Sequence, residues 1–261
     1  MSLHTIAQVK LKGNKIVITE DRDISDFTKI EIDDKIDVII TQGNRQNVTV
    51  ETDENLQEAV SIEVKGDILQ ISLSKKIIRK KVLLVTITIA DAIDEITIKD
   101  LADVKGDNTL NFDNLTLNTL GNSKANLSIK ATIFTMNNTE SANVTLSVDA
   151  EDSYINANST SRSKIYLTAD NLEMLAQGNS TTDVSGSISE LLLNAENKSN
   201  VKAGLLECDD ALIFTSDNAD AHIHAKNTIN LTATNSSEIF IYGNPKITVD
   251  KFSDKAILRK K

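Results

Sequence analysis

The sequence KANLSIKATIFTMNNTESANVTLSV, residues 124–148, contains twice the pattern that decides the fold. A small residue is followed by any residue and then by an aliphatic one, as in Ala125-Asn-Leu127 and Ala142-Asn-Val144. Between Asp100 and Tyr242 the pattern occurs eight times, about once in 19 residues, a length typical of stacked coils. The pairs are Ala102/Val104, Ala125/Leu127, Ala142/Val144, Ser163/Ile165, Thr182/Val184, Ser199/Val201, Ala219/Ala221 and Ser237/Ile239.

Side chains alternate in character around each pair. Even steps from the aliphatic residue meet apolar or small residues, such as Leu117 and Ile129 around Leu127. Odd steps meet mostly Asn, Asp, Ser, Thr, Lys or Glu. A period of two indicates strands with one buried face, whereas an amphipathic helix would need apolar residues three and four apart.

The predicted fold is therefore all-β: a single-stranded parallel β-helix with about eight regular rungs of ~19 residues, stacked ~4.8 Å apart. The alternative is a β-sandwich, whose strands also alternate but are joined by turns rich in Gly and Pro. Nine Gly and one Pro in 261 residues are too few for many tight hairpins, which favours the solenoid.

We expect one domain over residues 1–261. Residues 1–99 are rich in predicted strands but lack the repeat, and we expect them to form irregular N-terminal coils and a cap, because a bare parallel edge would recruit other chains. Residues 100–242 form the regular repeats. Residues 243–261 contain the only proline and are predicted to cover the last rung. The basic run at residues 75–81 is interpreted as a solvated loop, or alternatively as a contact for an acidic glycan or phosphate surface.

Charge and composition exclude several classes of partner. The formal net charge of −10 argues against nucleic acid and anionic membranes. No apolar stretch is long enough to span a bilayer. The N-terminus shows no signal-peptide pattern, so we expect either a cytoplasmic protein or an exported one whose leader has been removed. The single cysteine, Cys208, excludes an internal disulfide and is interpreted as structural, because Asp209 and Asp210 would raise its pKa.

Five segments form an ordered series that resembles a known bacterial family. They are Phe27-Thr-Lys-Ile-Glu-Ile, Ile36-Asp-Val-Ile-Ile-Thr-Gln-Gly, Val48-Thr-Val-Glu-Thr-Asp-Glu-Asn-Leu, Asp67-Ile-Leu-Gln-Ile and Ile241-Tyr-Gly-Asn-Pro-Lys-Ile. The series resembles the family described as putative auto-transporter adhesin, head GIN domain, over about residues 14–258. The Gly-Ile-Asn segment that names the family reads Lys35-Ile36-Asp37 here, without the glycine. The resemblance implies a right-handed β-helix in an exported protein of the periplasm or cell surface, and it brings no catalytic residues.

The segment Asp220-Ala-His222-Ile-His224 is the sharpest candidate for chemistry. If Ala221 and Ile223 face inward, the three polar side chains point outward from one strand at steps of ~6.5–7 Å. Two imidazoles and a carboxylate suit zinc or another transition metal, and Glu238 could complete the set. The alternative is two surface histidines that alternate with core residues by chance. We predict no bound metal or cofactor, with this set as the one candidate.

Other candidate sites are weaker. An outward row suited to calcium, or simply a solvated face, reads Asp103, Asn126, Asn143, Lys164, Asp183, Asn200, Asp220 and Glu238. The pairs Asp33-Asp34 and Asp209-Asp210 invite comparison with the acid pairs of glycoside hydrolases, but no accompanying motif is found. Tyr166 and Phe240 are outward aromatic residues that could contact a partner, and several repeats separate them.

Three functions remain open from the sequence. The favoured one is a non-enzymatic cell-envelope protein, adhesin-like, that binds a glycan or a surface protein along an extended outward flank. The second is a structural module that forms homo-oligomers through one flat face. The third is a β-helical enzyme that acts on polysaccharides.

Overall fold

The computed structural model describes residues 10–90 and 93–261. In these residues it contains 23 β-strands and one short 3-10 helix, η1, at Glu54–Ala59. The strands are β1 Lys10–Lys12, β2 Val17–Arg22, β3 Lys29–Ile32, β4 Asp37–Gln42, β5 Asn47–Asp53, β6 Val60–Lys65, β7 Ile68–Leu73, β8 Lys76–Arg79, β9 Leu83–Ile89, β10 Glu95–Ile98, β11 Asp103–Asn111, β12 Asn114–Thr119, β13 Lys124–Asn138, β14 Asn143–Ala157, β15 Arg162–Thr168, β16 Asn171–Ala176, β17 Thr181–Ser187, β18 Glu190–Ala195, β19 Asn200–Thr215, β20 Asp220–Ala233, β21 Glu238–Tyr242, β22 Lys246–Phe252 and β23 Ile257–Lys260.

Each regular rung contributes one strand segment to each of two ladders, which we call face A and face B. Face A runs in the order β6, β7, β3, β10, β12, β13, β14, β16, β18, β19, β20, β22. Face B runs in the order β2, β5, β9, β4, β11, β13, β14, β15, β17, β19, β20, β21, β23. The long strands β13, β14, β19 and β20 begin on face B and end on face A.

The parallel solenoid and its period are confirmed. Asn143 pairs with Arg162, Arg162 with Thr181 and Thr181 with Asn200, so that partners lie about 19 residues apart. All sixteen residues of the predicted small–aliphatic pairs are buried. The core that they line is largely aliphatic and includes Phe27 and Phe134.

The predicted alignment of the repeats is wrong in three rungs. Val104 pairs with Ala125 rather than with Leu127, and Val144 pairs with Ser163 rather than with Ile165. The rung of Val184 is displaced in the same way. A shift of two residues keeps the same side chains inward, so alternation alone does not fix the register. The outward row that begins at Asp103 therefore continues through Lys124, Asn143, Arg162, Thr181, Asn200, Asp220 and Glu238, so that two basic residues interrupt it.

A stacked turn closes each rung at one corner. Its last residue is small and buried, and its backbone N–H donates to the carbonyl three residues earlier, as from Ser161 to Asn158 at 3.3 Å. The second residue of each turn has φ between 53° and 73°. These residues are Asp100, Gly121, Glu140, Ser159, Gly178, Asn197, Asp217, Asn235 and Asp254. Asn and Asp tolerate this left-handed region, which explains why the turns need so few glycines.

The N-terminal third doubles back along the axis. Strands β3 and β4 form one rung. The chain then continues through β5 to β9 towards the N-terminal end of the solenoid. It returns as β10 and β11, which lie on the opposite side of that rung. As a result β3 lies between β7 and β10, and β4 lies between β9 and β11. The antiparallel strands β2, β5 and β6 end the two ladders there. Helix η1 packs against this end with Leu56 and Ala59 buried.

The C-terminal segment covers the last regular rung by forming a further one. Strands β22 and β23 pair in parallel with β20 and β21 and add a ninth rung. Ile247 and Val249 continue the inward rows of Ile229 and Leu231. They are exposed by 39% and 47%, whereas the two residues below them are fully buried. Within the described residues no helix has the length and hydropathy needed to cross a bilayer.

Candidate functional site

The three predicted metal ligands, Asp220, His222 and His224, share strand β20, but their ligand atoms do not all lie within 4.8 Å of one another. His222 stacks on Phe240 with ring centroids 4.4 Å apart, and its Nδ1 lies 3.3 Å from the hydroxyl oxygen of Tyr242. Burial lowers the pKa of His222, which favours the neutral ring. Burial and then the charge of Glu238 raise the pKa of Asp220. The imidazole of His222 is thus part of an aromatic stack, and binding of a metal by Asp220, His222 and His224 stays a prediction.

The two outward aromatic residues do not form one platform. Tyr166 lies on β15, where its partners are Ser147 and Ser185, and 58% of its surface is exposed. Phe240 lies on β21 beside His222 and under the ammonium of Lys261, 5.3 Å from the ring centroid. The two residues are four rungs apart in different rows, so a single ligand would need to be long to contact both.

Cys208 is buried, in agreement with a structural role. Burial and the charges of Asp209 and Asp210 raise the pKa of its thiol to about 12. Its sulfur lies 3.4 Å from the carbonyl oxygen of His224 on the next rung. A thiol with such a pKa is protonated at neutral pH and is a poor nucleophile.

A groove on face A is the site that the sequence did not reveal. It has a volume of about 760 Å³ and lies across β14, β16, β18, β19 and β20. Two outward rows border it, and we call it the face A groove. The first row is Asp152, Asn171, Glu190, Asp210 and Thr228, and the second is Tyr154, Glu173, Leu192, Leu212 and Asn230.

Apolar side chains form the middle of the face A groove. Leu192 and Leu212 are paired on neighbouring strands. Tyr154 is 40% exposed and Leu212 is 38% exposed. Phe214, two residues beyond Leu212 on the same strand, is also 38% exposed and extends the apolar surface past the groove. Contiguous exposed apolar surface is a common feature of interaction sites.

Carboxylates lie beside and between these apolar side chains. Asp152, Glu173, Glu190 and Asp210 line the face A groove, and none of the described lining residues is Lys, Arg or His. Asp152 accepts a hydrogen bond of 2.8 Å from the side-chain amide of Asn171, and Asp210 accepts one from the hydroxyl of Thr228. The groove therefore combines apolar contact area with negative charge, which suits a partner that is apolar and positively charged.

A second cluster of carboxylates lies where the N-terminal coils meet the repeats. One oxygen from each of Asp33, Asp34 and Asp100 lies within 4.8 Å of the others, and no other such group of three metal-ligating side chains occurs in residues 10–90 and 93–261. The charge of Asp33, followed by burial, raises the pKa of Asp100. The side-chain oxygen of Asp34 also accepts a hydrogen bond of 2.7 Å from the backbone N–H of Leu73. Oxygen ligands of this type suit calcium.

The fold is shared with solved bacterial proteins. A putative adhesin from Parabacteroides merdae matches with a TM-score of 0.71 at 19% identity, over 98% of this chain and 100% of its own. A putative lipid binding protein from Parabacteroides distasonis matches with a TM-score of 0.67 at 17% identity, over 97% and 100%. No curated protein is similar enough in sequence to count as a relative. Likeness at these identities establishes the fold, which is that of the parallel β-solenoids.

The family of the chain follows from the match of its sequence to a family model. The chain belongs to the family described as putative auto-transporter adhesin, head GIN domain, whose model matches residues 26–166 and 140–245. The resemblance carried by the five quoted segments is thereby confirmed, although Lys35 stands where the family has its glycine. Membership places the chain among adhesin-like proteins of the cell envelope.

Proposed function

We propose that this protein is a non-enzymatic, adhesin-like module that binds a protein segment in the face A groove. The proposal depends on one observation: the exposed Leu212 and Tyr154 and the half-buried Leu192 share one outward row with Glu173, beside a row that contains Asp152, Glu190 and Asp210. Core-forming side chains on the outward side of a strand expose apolar surface to water, and covering that surface with a partner stabilises the complex.

The chemistry of the face A groove favours a protein over a glycan. Four carboxylates repel acidic polysaccharides, and the aromatic platforms that commonly bind sugars are reduced here to Tyr154. Leucine side chains offer contact area to apolar side chains of a partner, whereas the hydroxyl groups of a sugar would be left without hydrogen-bond partners on them. An extended segment that carries both apolar and basic residues would contact the leucines with the former and the carboxylates with the latter.

An assembly role is the second candidate function. The same apolar surface could join copies of the chain, as proteins do when one flat face is self-complementary. A role as an enzyme has less support, since the family is one of adhesins. The carboxylates Asp33, Asp34 and Asp100 are the group that an enzymatic role would use.

A binding assay on two leucine-to-glutamate variants tests the proposal. Protein immobilised on beads is incubated with cells of the bacterium that encodes it, with and without protease treatment, and with a panel of polysaccharides. We expect binding to untreated cells, and a loss of about tenfold or more for Leu212→Glu. The matched control is Leu205→Glu, because Leu205 lies on the same strand outside the groove and is 77% exposed.

The outcomes separate the candidates. Equal loss in both variants, or no loss in Leu212→Glu, would remove the groove as the binding surface. Binding that survives protease treatment and follows one polysaccharide would replace the protein partner with a glycan. Binding of neither cells nor polysaccharides would leave only assembly to explain the groove.

A further inference from the structure

The run at residues 75–81 is positively charged, whereas the chain as a whole is negatively charged. Five of its seven residues are Lys or Arg, in a protein with a net charge of −10. It forms strand β8, which pairs with β1, and the turn after it. Lys76 and Arg79 are exposed, whereas Lys80 lies 3.6 Å from Asp37 and is partly neutralised.

A β-bulge presents an apolar residue within this run. Lys76 and Ile77 pair with Lys10 and Leu11, but the next pair is Arg79 with Lys12, so Ile78 has no partner on β1. Ile77 packs against the core, whereas Ile78 is 47% exposed. Bulges commonly redirect a side chain. The exposed surface of β8 therefore includes an isoleucine and two exposed basic side chains.

The exposed surface of β8 is complementary in charge to the face A groove, and both surfaces contain apolar side chains. The groove has the exposed Leu212 and the half-buried Leu192 next to carboxylates, and β8 has an exposed isoleucine among basic groups. Glu190 and Asp210 are paired on neighbouring strands, ~4.8 Å apart, and Leu192 and Leu212 lie two residues further along them. One short extended segment can thus contact both the carboxylates and the leucines.

We propose that strand β8 of a second copy of this chain occupies the face A groove. The inference depends on the proposed function, in which that groove is a binding surface, and it identifies the partner. Ile78 would contact Leu192 and Leu212, and Lys76 and Arg79 would face the carboxylates. The module is then homophilic: copies on neighbouring surfaces bind one another. Because two different surfaces meet, the interface is heterologous and can repeat from copy to copy.

Sedimentation velocity on the purified chain tests this pairing. We expect the weight-average mass to exceed that of a monomer at about 100 µM protein in about 50 mM salt. Raising the salt to about 500 mM should weaken association, because exposed charges are screened beyond a few ångströms. The β8 variant Lys76→Glu/Arg79→Glu and the groove variant Glu190→Lys/Asp210→Lys should each associate at least about tenfold more weakly.

Mixing the two variants gives the decisive result. The β8 variant keeps its acidic groove and the groove variant keeps its basic strand, so an equimolar mixture should form heteromers although each variant alone does not. Melting curves check that both variants are folded. A monomeric wild type at low salt, or a β8 variant that associates like the wild type, would overturn the proposal. If the wild type is monomeric at low salt while Leu212→Glu still loses cell binding in the bead assay, the groove binds another protein, and only the self-pairing is wrong.

Discussion

Leu192 on β18 and Leu212 on β19 are paired neighbours that both point out of the solenoid, and 38% of Leu212 remains exposed. Their neighbours Leu191, Leu193, Ala211 and Ile213 point inward and are buried. Four apolar side chains in six residues of β18 therefore serve two different surfaces. This arrangement places side chains of the core and side chains of the groove on a single strand.

The first prediction uses that arrangement. Leu193 is fully buried, so Leu193→Ala should lower the free energy of unfolding by about 2–5 kcal/mol, measured by urea denaturation. Leu192→Ala, the matched control on the same strand, should cost less than about 1 kcal/mol but reduce association or cell binding. A large loss of stability in Leu192→Ala would mean that its side chain is part of the core and not of a binding surface.

The sequence predicts the solenoid well because each rung repeats the same inward alternation. Its period, its buried rows and its aliphatic core follow from that pattern. The register does not follow, since a shift of two residues keeps the same face inward and moved the rung of Leu127 relative to Val104. The turns could be recognised only as small-residue positions, because Glu140 and Ser159 adopt the left-handed conformation without being Gly or Asn.

The face A groove could not be predicted without the register. Leu192 meets Leu212 only because the ladder shifts between Asp183 and Ser185 where β17 pairs with β19, which adds a residue to that rung. A strict period of 19 would pair Leu192 with Ala211, an inward residue, and hide the apolar pair. The ninth rung could not be predicted for a related reason. Proline and lysines in the sequence discourage further strand pairing, yet Pro245 precedes β22, whose residues still pair in parallel with β20.

The second prediction concerns Asp53, whose side chain is fully buried. Burial opposes its ionisation, but the backbone N–H groups of Lys81, Lys15 and Val82 donate to the carboxylate and hold its pKa below the usual range. A depressed pKa adds stability above the pKa of the unfolded chain, and this stability is lost as the pH falls through the folded value. Asp53→Asn should therefore lower the melting temperature at pH 7.

The pH dependence distinguishes this from a general packing defect. The difference in melting temperature between wild type and Asp53→Asn should shrink as the pH falls below about 4, where the carboxyl becomes protonated in the unfolded chain. A difference that stays constant down to the acid limit would contradict the assignment. Asp21→Asn is the control, since Asp21 is exposed on β2 and its replacement should change the melting temperature little at any pH.

The third prediction concerns Asp100, whose pKa is shifted in the opposite direction to that of Asp53. Repulsion from Asp33, followed by burial, raises its pKa, so its charge destabilises the fold. Stability is then lost as the pH rises through the raised pKa. Asp100→Asn keeps a residue that tolerates φ near 53° and removes the charge. We expect a higher melting temperature than wild type at pH 7, and no difference below pH of about 3, where both chains carry a neutral group.

Calcium provides a second measurement on the same cluster. If an ion bound by Asp33, Asp34 and Asp100 is needed for stability, calcium should raise the melting temperature of the wild type and not that of Asp100→Asn. A wild type that is less stable than Asp100→Asn in calcium-free buffer and more stable with calcium would assign the ion. A variant that is less stable than the wild type in calcium-free buffer would refute the repulsion argument.

The fourth prediction concerns Gly186, where the backbone of the neighbouring rung leaves no room for a β-carbon. It lies in the inward row between Leu167 and Leu206, with φ at 123°. A β-carbon there would overlap the backbone carbonyl oxygen of Leu167, which is held in the ladder and cannot move aside. Gly186→Ala should therefore lower the free energy of unfolding by more than about 3 kcal/mol, because steric overlap adds to backbone strain.

Gly66→Ala is the control: its φ of 66° is also positive, but no atom lies within 4 Å of the added carbon. It should cost only about 1 kcal/mol, the strain of the left-handed conformation. Equal losses in urea denaturation would mean that backbone conformation alone, and not the close approach of the rungs, requires glycine at position 186.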